Sequence, residues 1–293
     1  MQKDLETRTL GKTGMVVTQL GYGAGFRGEV TEAQADGVFN AVLDAGINYI
    51  DTAPCYDFSE DRIGASISHR RSEFFLATKV GCNIGPGGKG KDPDHIWSAD
   101  NFHRNIDESL KRMKVDCVDL LQPHSPSFDD VEQGALEALI QIRDAGKTRF
   151  IGVSTHLPDL PAFVQTGIFD AFQIPYSALG RRHERLIQNL ADASAGVIIR
   201  GGIAKGHRGG GWDKWEKAGL DDLLDGMDRY EFVLRFTLTH PACQTNIVGT
   251  ADLDHFYANV AAAKAGPLPQ EIYEQAKERL AQIGEVPADS WSE

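Results

Sequence analysis

The chain has no apolar run approaching the roughly 18 residues of a membrane span. Its first residues, Met1-Gln2-Lys3-Asp4-Leu5-Glu6, carry charge where a secretion signal carries an apolar core. Cysteine is scarce: Cys55, Cys82, Cys117 and Cys243 are the four in 293 residues, far apart and without a C-x-x-C pair. That spacing offers neither a disulfide framework nor a structural zinc site, and it suits a reducing cytoplasm. Basic residues are in deficit. Thirty Lys plus Arg against 42 Asp plus Glu leave a net charge of −12, which argues against nucleic acid and anionic membranes as partners. What is present is ordinary globular material. With 41% hydrophobic and 25% charged residues, there is enough apolar surface to offset chain entropy, so intrinsic disorder is excluded.

Two signals alternate along the chain. Arg8–Leu10, a glycine-bearing turn at Gly11–Gly14 and Met15–Val17 predict an N-terminal hairpin over 8–17. Leu20–Gly23 follows as a short strand, and then helical periodicity and short apolar strands take turns. The helix over 31–45 starts at Thr31 as N-cap and stops before Gly46. Helices are expected over 59–69, 99–113, 131–145, 159–166, 183–193, 229–239 and 253–265. The strands between them fall at 47–50, 74–78, 117–121, 149–153, 171–174, 196–199 and 245–248. These strands rarely alternate polar with apolar, the pattern of a parallel sheet covered on both faces. Eight strand–helix units with no linker between them predict one (β/α)8 TIM barrel domain over residues 1–293. An extra helix is expected at 268–283 and a loose tail at 286–293.

In such a barrel, chemistry gathers at the C-terminal ends of the strands. The polar residues there are Asp51, with Tyr56 in the following loop, then Lys79, His124, Ser154-Thr155-His156, Gln173 or Tyr176, Arg200 and Gly249-Thr250. Singly, each has a plain reading: Asp51 caps a helix, Lys79 is a solvated strand end, Tyr56 packs, His124 sits in a turn. Together they suggest one mouth. A phenol titrates near 10, and lowering it by two or three units takes about 3–4 kcal/mol. An ammonium about 4 Å away supplies roughly that at an effective dielectric of ~20. Asp51 would hold Lys79 charged, His124 would orient a carbonyl oxygen, and Tyr56 would protonate it.

These residues resemble the aldo-keto reductase family. The resemblance runs from Arg8-Thr9-Leu10-Gly11-Lys12-Thr13-Gly14 through Gly46-Ile47-Asn48-Tyr49-Ile50-Asp51-Thr52-Ala53-Pro54-Cys55-Tyr56. It continues through Ser59-Glu60, Ile63-Gly64, Ala77-Thr78-Lys79-Val80 and Gly152-Val153-Ser154 to Gly249-Thr250 and Asn259. It implies a barrel closed at its base by the hairpin and an NAD(P)-dependent oxidoreductase acting on an aldehyde, ketone or sugar-like carbonyl. By position, Tyr56, Lys79, Asp51 and His124 are its catalytic residues. Gly23, Ala24 and Gly25 fall beside the nicotinamide ribose, with Asp51 close by, and Ser154, Thr155 and Gln173 fall at the carboxamide. Arg200 takes the ring-stacking position, and Gly249, Thr250, His255 and Asn259 the adenine end. Phe26, Tyr56, His124 and Trp212 are the expected substrate contacts, and no metal ligand is assigned.

The chain departs from the family at three places. Arg200 stands where many members carry an aromatic residue, and it would either stack through its planar guanidinium or bind a phosphate or a substrate carboxylate. Thr155 stands where Asn usually follows the serine. The segment Gly249-Thr250-Ala251-Asp252-Leu253-Asp254-His255-Phe256 has two acids and no Arg or Lys for a 2′-phosphate. The resemblance implies NADP(H), and this segment keeps NAD(H) in contention. The loop Gly85–Asp92 only approximates a phosphate-binding loop, because Asp92 replaces the magnesium-binding hydroxyl. Gly206–Trp212 is expected as a loop, with Trp212 and Trp215 either lining the pocket or packing beneath it. Two other functions remain: a non-catalytic barrel that binds the cofactor and senses redox state, and an aldolase-like barrel using Lys79 as a Schiff base. A cytoplasmic location is expected, and the oligomeric state is not legible.

Overall fold

Short strands without polar alternation must be buried on both faces, and in the computed structural model eight of them form the wall of a closed parallel barrel. The described residues are 4–25, 30–84, 95–131, 133–204 and 210–288. The barrel strands are β3 (Leu20–Gly23), β4 (Tyr49–Asp51), β5 (Phe75–Val80), β6 (Val118–Pro123), β7 (Thr148–Ser154), β8 (Ala171–Pro175), β9 (Gly196–Arg200) and β10 (Thr245–Val248). They pair in chain order, and β10 closes the ring by pairing with both β9 and β3.

Strands β1 (Thr7–Thr9) and β2 (Val16–Thr18) form a separate antiparallel hairpin. Leu10, Met15 and Val17 bury against Tyr49, Ala77, Leu120, Ala171 and Ile198, residues that fill the barrel interior. The hairpin therefore plugs one end, and the polar mouth lies at the other.

The helices bury one apolar stripe each on the outside of the wall. In α1 (Glu32–Asp44) the Thr31 hydroxyl accepts from the Gln34 N–H and the Gln34 side chain returns the bond, a reciprocal N-cap. Ala35, Val38, Phe39 and Val42 face inward, and Gly46 follows with φ of +86°. α2 (Ser59–Ser66) is held by Glu60, whose carboxylate accepts from the Thr78 hydroxyl at 2.6 Å and Arg112 Nε at 2.8 Å. The remaining helices are α3 (Ala99–Met113), α4 (Ala135–Asp144), α5 (Leu160–Gln165), α6 (Glu184–Asp192), α7 (Trp212–Ala218), α8 (Arg229–Thr239), α9 (Leu253–Ala265) and α10 (Gln270–Gln282). Among the described residues, no helix is long and apolar enough to cross a membrane.

Several expected boundaries move. Asp51, Lys79, Ser154 and Arg200 lie inside their strands rather than past them, because the ladders run on through Gly23–Asp51, Lys79–Gln122 and Pro175–Arg200. α4 starts at Ala135 instead of residue 131. Trp212, expected as the last residue of a loop over 206–212, instead opens α7, and residues 206–209 lie outside the described residues. Trp215 is fully buried there and donates to Asp221 Oδ1 at 3.0 Å. Trp212 packs edge-on against Tyr230 and at a tilt against Trp215.

Two buried histidines bear on stability. His183 Nε2 accepts from the Leu157 N–H at 3.0 Å, and His240 Nδ1 from the Ala242 N–H at 3.2 Å. Burial, with nearby cations, pulls both down from the usual 6.5 to about 4. As pH falls below about 6.5, the unfolded chain protonates first and the folded chain does not, so stability present above that value is lost toward pH 4. The loss should reach about 2 kcal/mol per histidine at pH 5. The urea midpoint is expected to drop between pH 7 and pH 5, and His183→Gln with His240→Gln should flatten the drop. An unchanged slope in the double variant would refute the assignment.

Candidate active site

The mouth is organised around one carboxylate. Asp51 ends β4, where pairing with β3 and β5 fixes its backbone. Its Oδ2 accepts from Lys79 Nζ at 2.6 Å, and its Oδ1 accepts from Gln122 Nε2 at 3.1 Å and Gln173 Nε2 at 2.8 Å. Side chains from β4, β5, β6 and β8 therefore meet on two oxygen atoms. Lys79 is fully buried and also donates to the Thr52 carbonyl at 2.8 Å. Burial pulls its titration down, but the Asp51 charge and the neighbouring phenol outweigh that and leave it raised. The ammonium is charged throughout the neutral range.

Tyr56 sits in the loop between β4 and α2. Its N–H donates to the Ala53 carbonyl at 3.1 Å, its carbonyl accepts from the Ser59 N–H at 2.9 Å, and Thr52 and Ser59 hydroxyls join at 2.8 Å. The loop is thereby tied to the first turn of α2. Lys79 Nζ lies 4.7 Å from the Tyr56 ring centre, and the His124 ring meets it edge-on at 5.6 Å. The expected lowering of the phenol does not win in this state. Burial pushes it up, the Lys79 ammonium pulls it down, and Asp51 pushes it up again, leaving it raised. Elementary charge counting from sequence omits the desolvation that comes with being enclosed.

His124 continues β6 by a bridge to Ser154, and its N–H donates to the Val80 carbonyl at 2.9 Å. Burial holds its imidazole below the usual range, so it is neutral at pH 7. Its Nδ1 lies 3.2 Å from Cys55 Sγ, 3.3 Å from Cys82 Sγ and 3.4 Å from His95 Nε2. This gathering of two thiols and two imidazoles was invisible in the sequence, where the four residues span seventy positions without a ligand spacing.

The remaining expected contacts ring the mouth. Gly23 ends β3, and the Ala24 N–H donates to the Asp51 carbonyl at 2.8 Å. A Cβ on Gly25 would rest 3.5 Å from the Tyr56 ring, so the glycine leaves that side of the ring slim. Ser154 and Thr155 are buried at the end of β7. The Gln173 amide nitrogen, expected at a ligand, is committed to Asp51. Arg200 ends β9 with its Nε buried and unpartnered among the described residues, its charge sensing Tyr56 and Asp51.

Gly249 approaches β3 so closely that a Cβ would lie 2.0 Å from the Gly23 carbonyl oxygen. The Thr250 carbonyl accepts from the Tyr22 hydroxyl at 2.6 Å, and Asp252 caps α9 by accepting from the His255 N–H at 3.0 Å. Asn259 lies two turns further along α9. Gln122 was missed as a site residue, although its place two positions before His124 in an apolar strand marked it. Phe26 and the loop at 85–92 lie outside the described residues.

Comparison with known proteins agrees with this architecture. A model described as the Aldo/keto reductase family matches residues 19–210. An uncharacterized oxidoreductase of Bacillus subtilis is 25% identical over 292 residues, covering 91% of this chain and 94% of its own. L-galactose dehydrogenase of Arabidopsis thaliana is 34% identical over 178 residues, covering 57% of this chain and 52% of its own. The holo form of an aldo-keto reductase from Bacillus halodurans superposes with a TM-score of 0.86 at 27% identity, covering 99% of this chain and 100% of its own.

The buried ion pair makes its own prediction. Removing one member of such a pair strands the other charge, at a cost of roughly 3–5 kcal/mol. Asp51→Asn should lower unfolding free energy by about that much, and adding Lys79→Met should recover a large part of it. Urea denaturation of the single and double variants measures the coupling. Additive losses would mean that the two side chains do not act as a pair.

Proposed function

The chain belongs to the aldo/keto reductase family and is an oxidoreductase; on that premise we propose that it moves a hydride between a nicotinamide dinucleotide and a small carbonyl or alcohol, with Tyr56 as acid and base. The observation that supports this most is the stacking of charges at the mouth. A phenol, an ammonium 4.7 Å from its ring centre, the carboxylate that pins the ammonium and a neutral imidazole 5.6 Å from the phenol ring all meet there.

The residues at the mouth fit a flat ring joined to a polyanion. Arg200 offers a guanidinium nitrogen that is buried and unpartnered among the described residues. Gly25 itself puts no side chain against the Tyr56 ring, and Gly23 and Gly249 bring two strand ends into contact. Gly23–Gly25, Ser154, Thr155 and Arg200 would hold the nicotinamide half. Gly249, Thr250, His255 and Asn259 would hold the adenine half. When bound, the reduced nicotinamide supplies the hydride.

The chain's own side chains handle the proton. Burial keeps the Tyr56 phenol protonated at neutral pH, so it is a donor in waiting. As negative charge builds on a carbonyl oxygen, the Tyr56 hydroxyl gives up its proton to it. The phenolate left behind is stabilised by the Lys79 ammonium, worth about 3–4 kcal/mol at that separation and an effective dielectric of ~20. Asp51, held by Gln122 and Gln173, keeps the ammonium from drifting. His124, uncharged, donates one hydrogen bond to the same oxygen. In the oxidative direction Tyr56 takes the proton back. A sugar-like substrate is supported by the likeness to L-galactose dehydrogenase, of which this chain matches about half.

Tyr56→Phe should cut carbonyl reduction by about 10²–10⁴-fold while leaving dinucleotide affinity within about threefold. Steady-state assays on an aldehyde, ketone and sugar panel, with fluorescence titration of the dinucleotide, check both halves. Unchanged turnover would remove Tyr56 from the role. At the adenine end, acids without a compensating Lys or Arg disfavour a further phosphate, so NADH should bind at least as tightly as NADPH in parallel titrations. Asp254→Lys, at an exposed position beyond the α9 cap, should shift preference toward NADPH by several-fold. A strong NADPH preference in the unmodified chain would contradict the electrostatic reading of this end.

A further inference from the structure

Cys55, Cys82, His95 and His124 present one ligand atom each to a common point beside the mouth, and all four atoms lie within 4.8 Å of one another. We propose that these residues bind one tetrahedral transition-metal ion, zinc by the chemistry of the donors, as a closed site that braces His124. The ion site stands apart from the carbonyl chemistry; only its effect on His124 as an oxygen-orienting group rests on the function proposed above.

Geometry carries the assignment. A tetrahedral zinc with bonds of about 2.3 Å to sulfur and about 2.05 Å to nitrogen spaces its ligands at about 3.5 Å for sulfur to nitrogen and about 3.3 Å for nitrogen to nitrogen. The sulfur-to-nitrogen separations here are 3.2, 3.3 and 3.8 Å, and the two nitrogens stand 3.4 Å apart. Hydrogen bonding alone does not account for the cluster. A ring nitrogen has one in-plane lone pair or one N–H, yet His124 Nδ1 has three close neighbours. A cation at the shared point engages each donor once.

Contacts outside the four donor atoms hold this arrangement. Cys82 and His95 form an antiparallel bridge, and the Ile96 N–H donates to the Gly81 carbonyl at 2.8 Å. Trp97 stacks on the His95 ring at 5.5 Å with 12° between planes. Gly81, at φ of +103°, admits that indole, since a Cβ there would lie 2.6 Å from it. Asn105 Oδ1 accepts from the Gly81 N–H at 2.9 Å, and Asn101 Nδ2 donates to the Ile96 carbonyl at 2.7 Å. The loop carrying His95 is thus tied to α3 on one side and to the end of β5 on the other.

Charge also balances. Binding releases the two thiol protons, and a dication with two thiolates and two neutral imidazoles is neutral overall. A neutral complex suits a pocket next to the already neutralised Asp51–Lys79 pair. Four protein ligands leave the ion no open position, as in structural zinc sites. With Nδ1 of His124 on the metal, its proton resides on Nε2, which fixes the imidazole as a hydrogen-bond donor.

The test uses the full chain, reduced and stripped by a chelator. Zinc titrated against a chromophoric chelator should load to about one ion per chain. Cobalt(II) should give thiolate charge-transfer absorption and the intense visible bands of a tetrahedral site. Cys82→Ser with His95→Ala should weaken uptake by roughly 100-fold or more. In the unmodified chain, zinc should shield Cys55, the half-buried thiol of the site, from alkylation and leave Cys117 reactive, a readout that does not depend on the variants folding. Uptake well below one ion per chain, uptake undiminished in the double variant, or a Cys55–Cys82 disulfide in zinc-replete protein would overturn the site. Stoichiometric uptake in a chain that reduces no carbonyl would uphold the site and defeat the proposed function alone.

Discussion

A carboxylate at the barrel mouth, away from water, must be fully engaged or it will not stay ionised and in place. Asp51 meets that demand with three donors, one from Lys79 and two from Gln122 and Gln173, each on a different strand. The interaction works in both directions. It fixes the ammonium that faces Tyr56, and it ties β4, β5, β6 and, across the barrel interior, β8 together at the level where the barrel opens. Loss of one donor would leave a buried charge short of partners, a cost far larger than the bond itself. The hairpin plug fills the other end of the barrel interior with Leu10, Met15 and Val17.

Enclosure also sets the protonation of the phenol. An exposed phenol beside an ammonium would be drawn down; the buried Tyr56 is instead held protonated, with Lys79 acting against desolvation rather than alone. The arrangement therefore stabilises the charged form mainly at the moment when the proton leaves. The same enclosure affects the imidazole next to it. His124 stays neutral because it is buried, and it stands at the border between the phenol and the pair of thiols. One histidine thus joins the two polar clusters of the molecule, the Asp51–Lys79–Tyr56 group and the Cys55–Cys82–His95 group.

Much of the fold was legible in the chain. Periodicity of apolar residues, the Thr31 cap and Gly46 stop of α1, and the apolar strands located α3, α8, α9 and β10 at their observed bounds. Boundaries failed where a ladder ran past its apolar run, as at Lys79 and Ser154, because polar residues at a barrel mouth still pair through their backbones. α7 was hidden because glycines precede it and only Trp215 and Ala218 of its residues are buried, too short a stripe to show a period. Trp215 was ambiguous for a related reason: a buried indole needs a partner for its N–H, and Asp221, six positions further along the chain, supplies it.

Sequence by itself determined the alternation of strand and helix, the polar residue types at each strand end and the acidity of the segment 249–256. All of these follow from local periodicity and composition, which are properties of neighbours along the chain. Only the tertiary structure decided which of those polar groups meet. The convergence of Gln122 and Gln173 on Asp51, the net upward pull on Tyr56, and the meeting of Cys55, Cys82, His95 and His124 depend on closure of the barrel. Closure sets distances between strand ends far apart in the chain and sets how much water remains among them. Both quantities control electrostatics and ligand geometry, and neither is written in any window of consecutive residues.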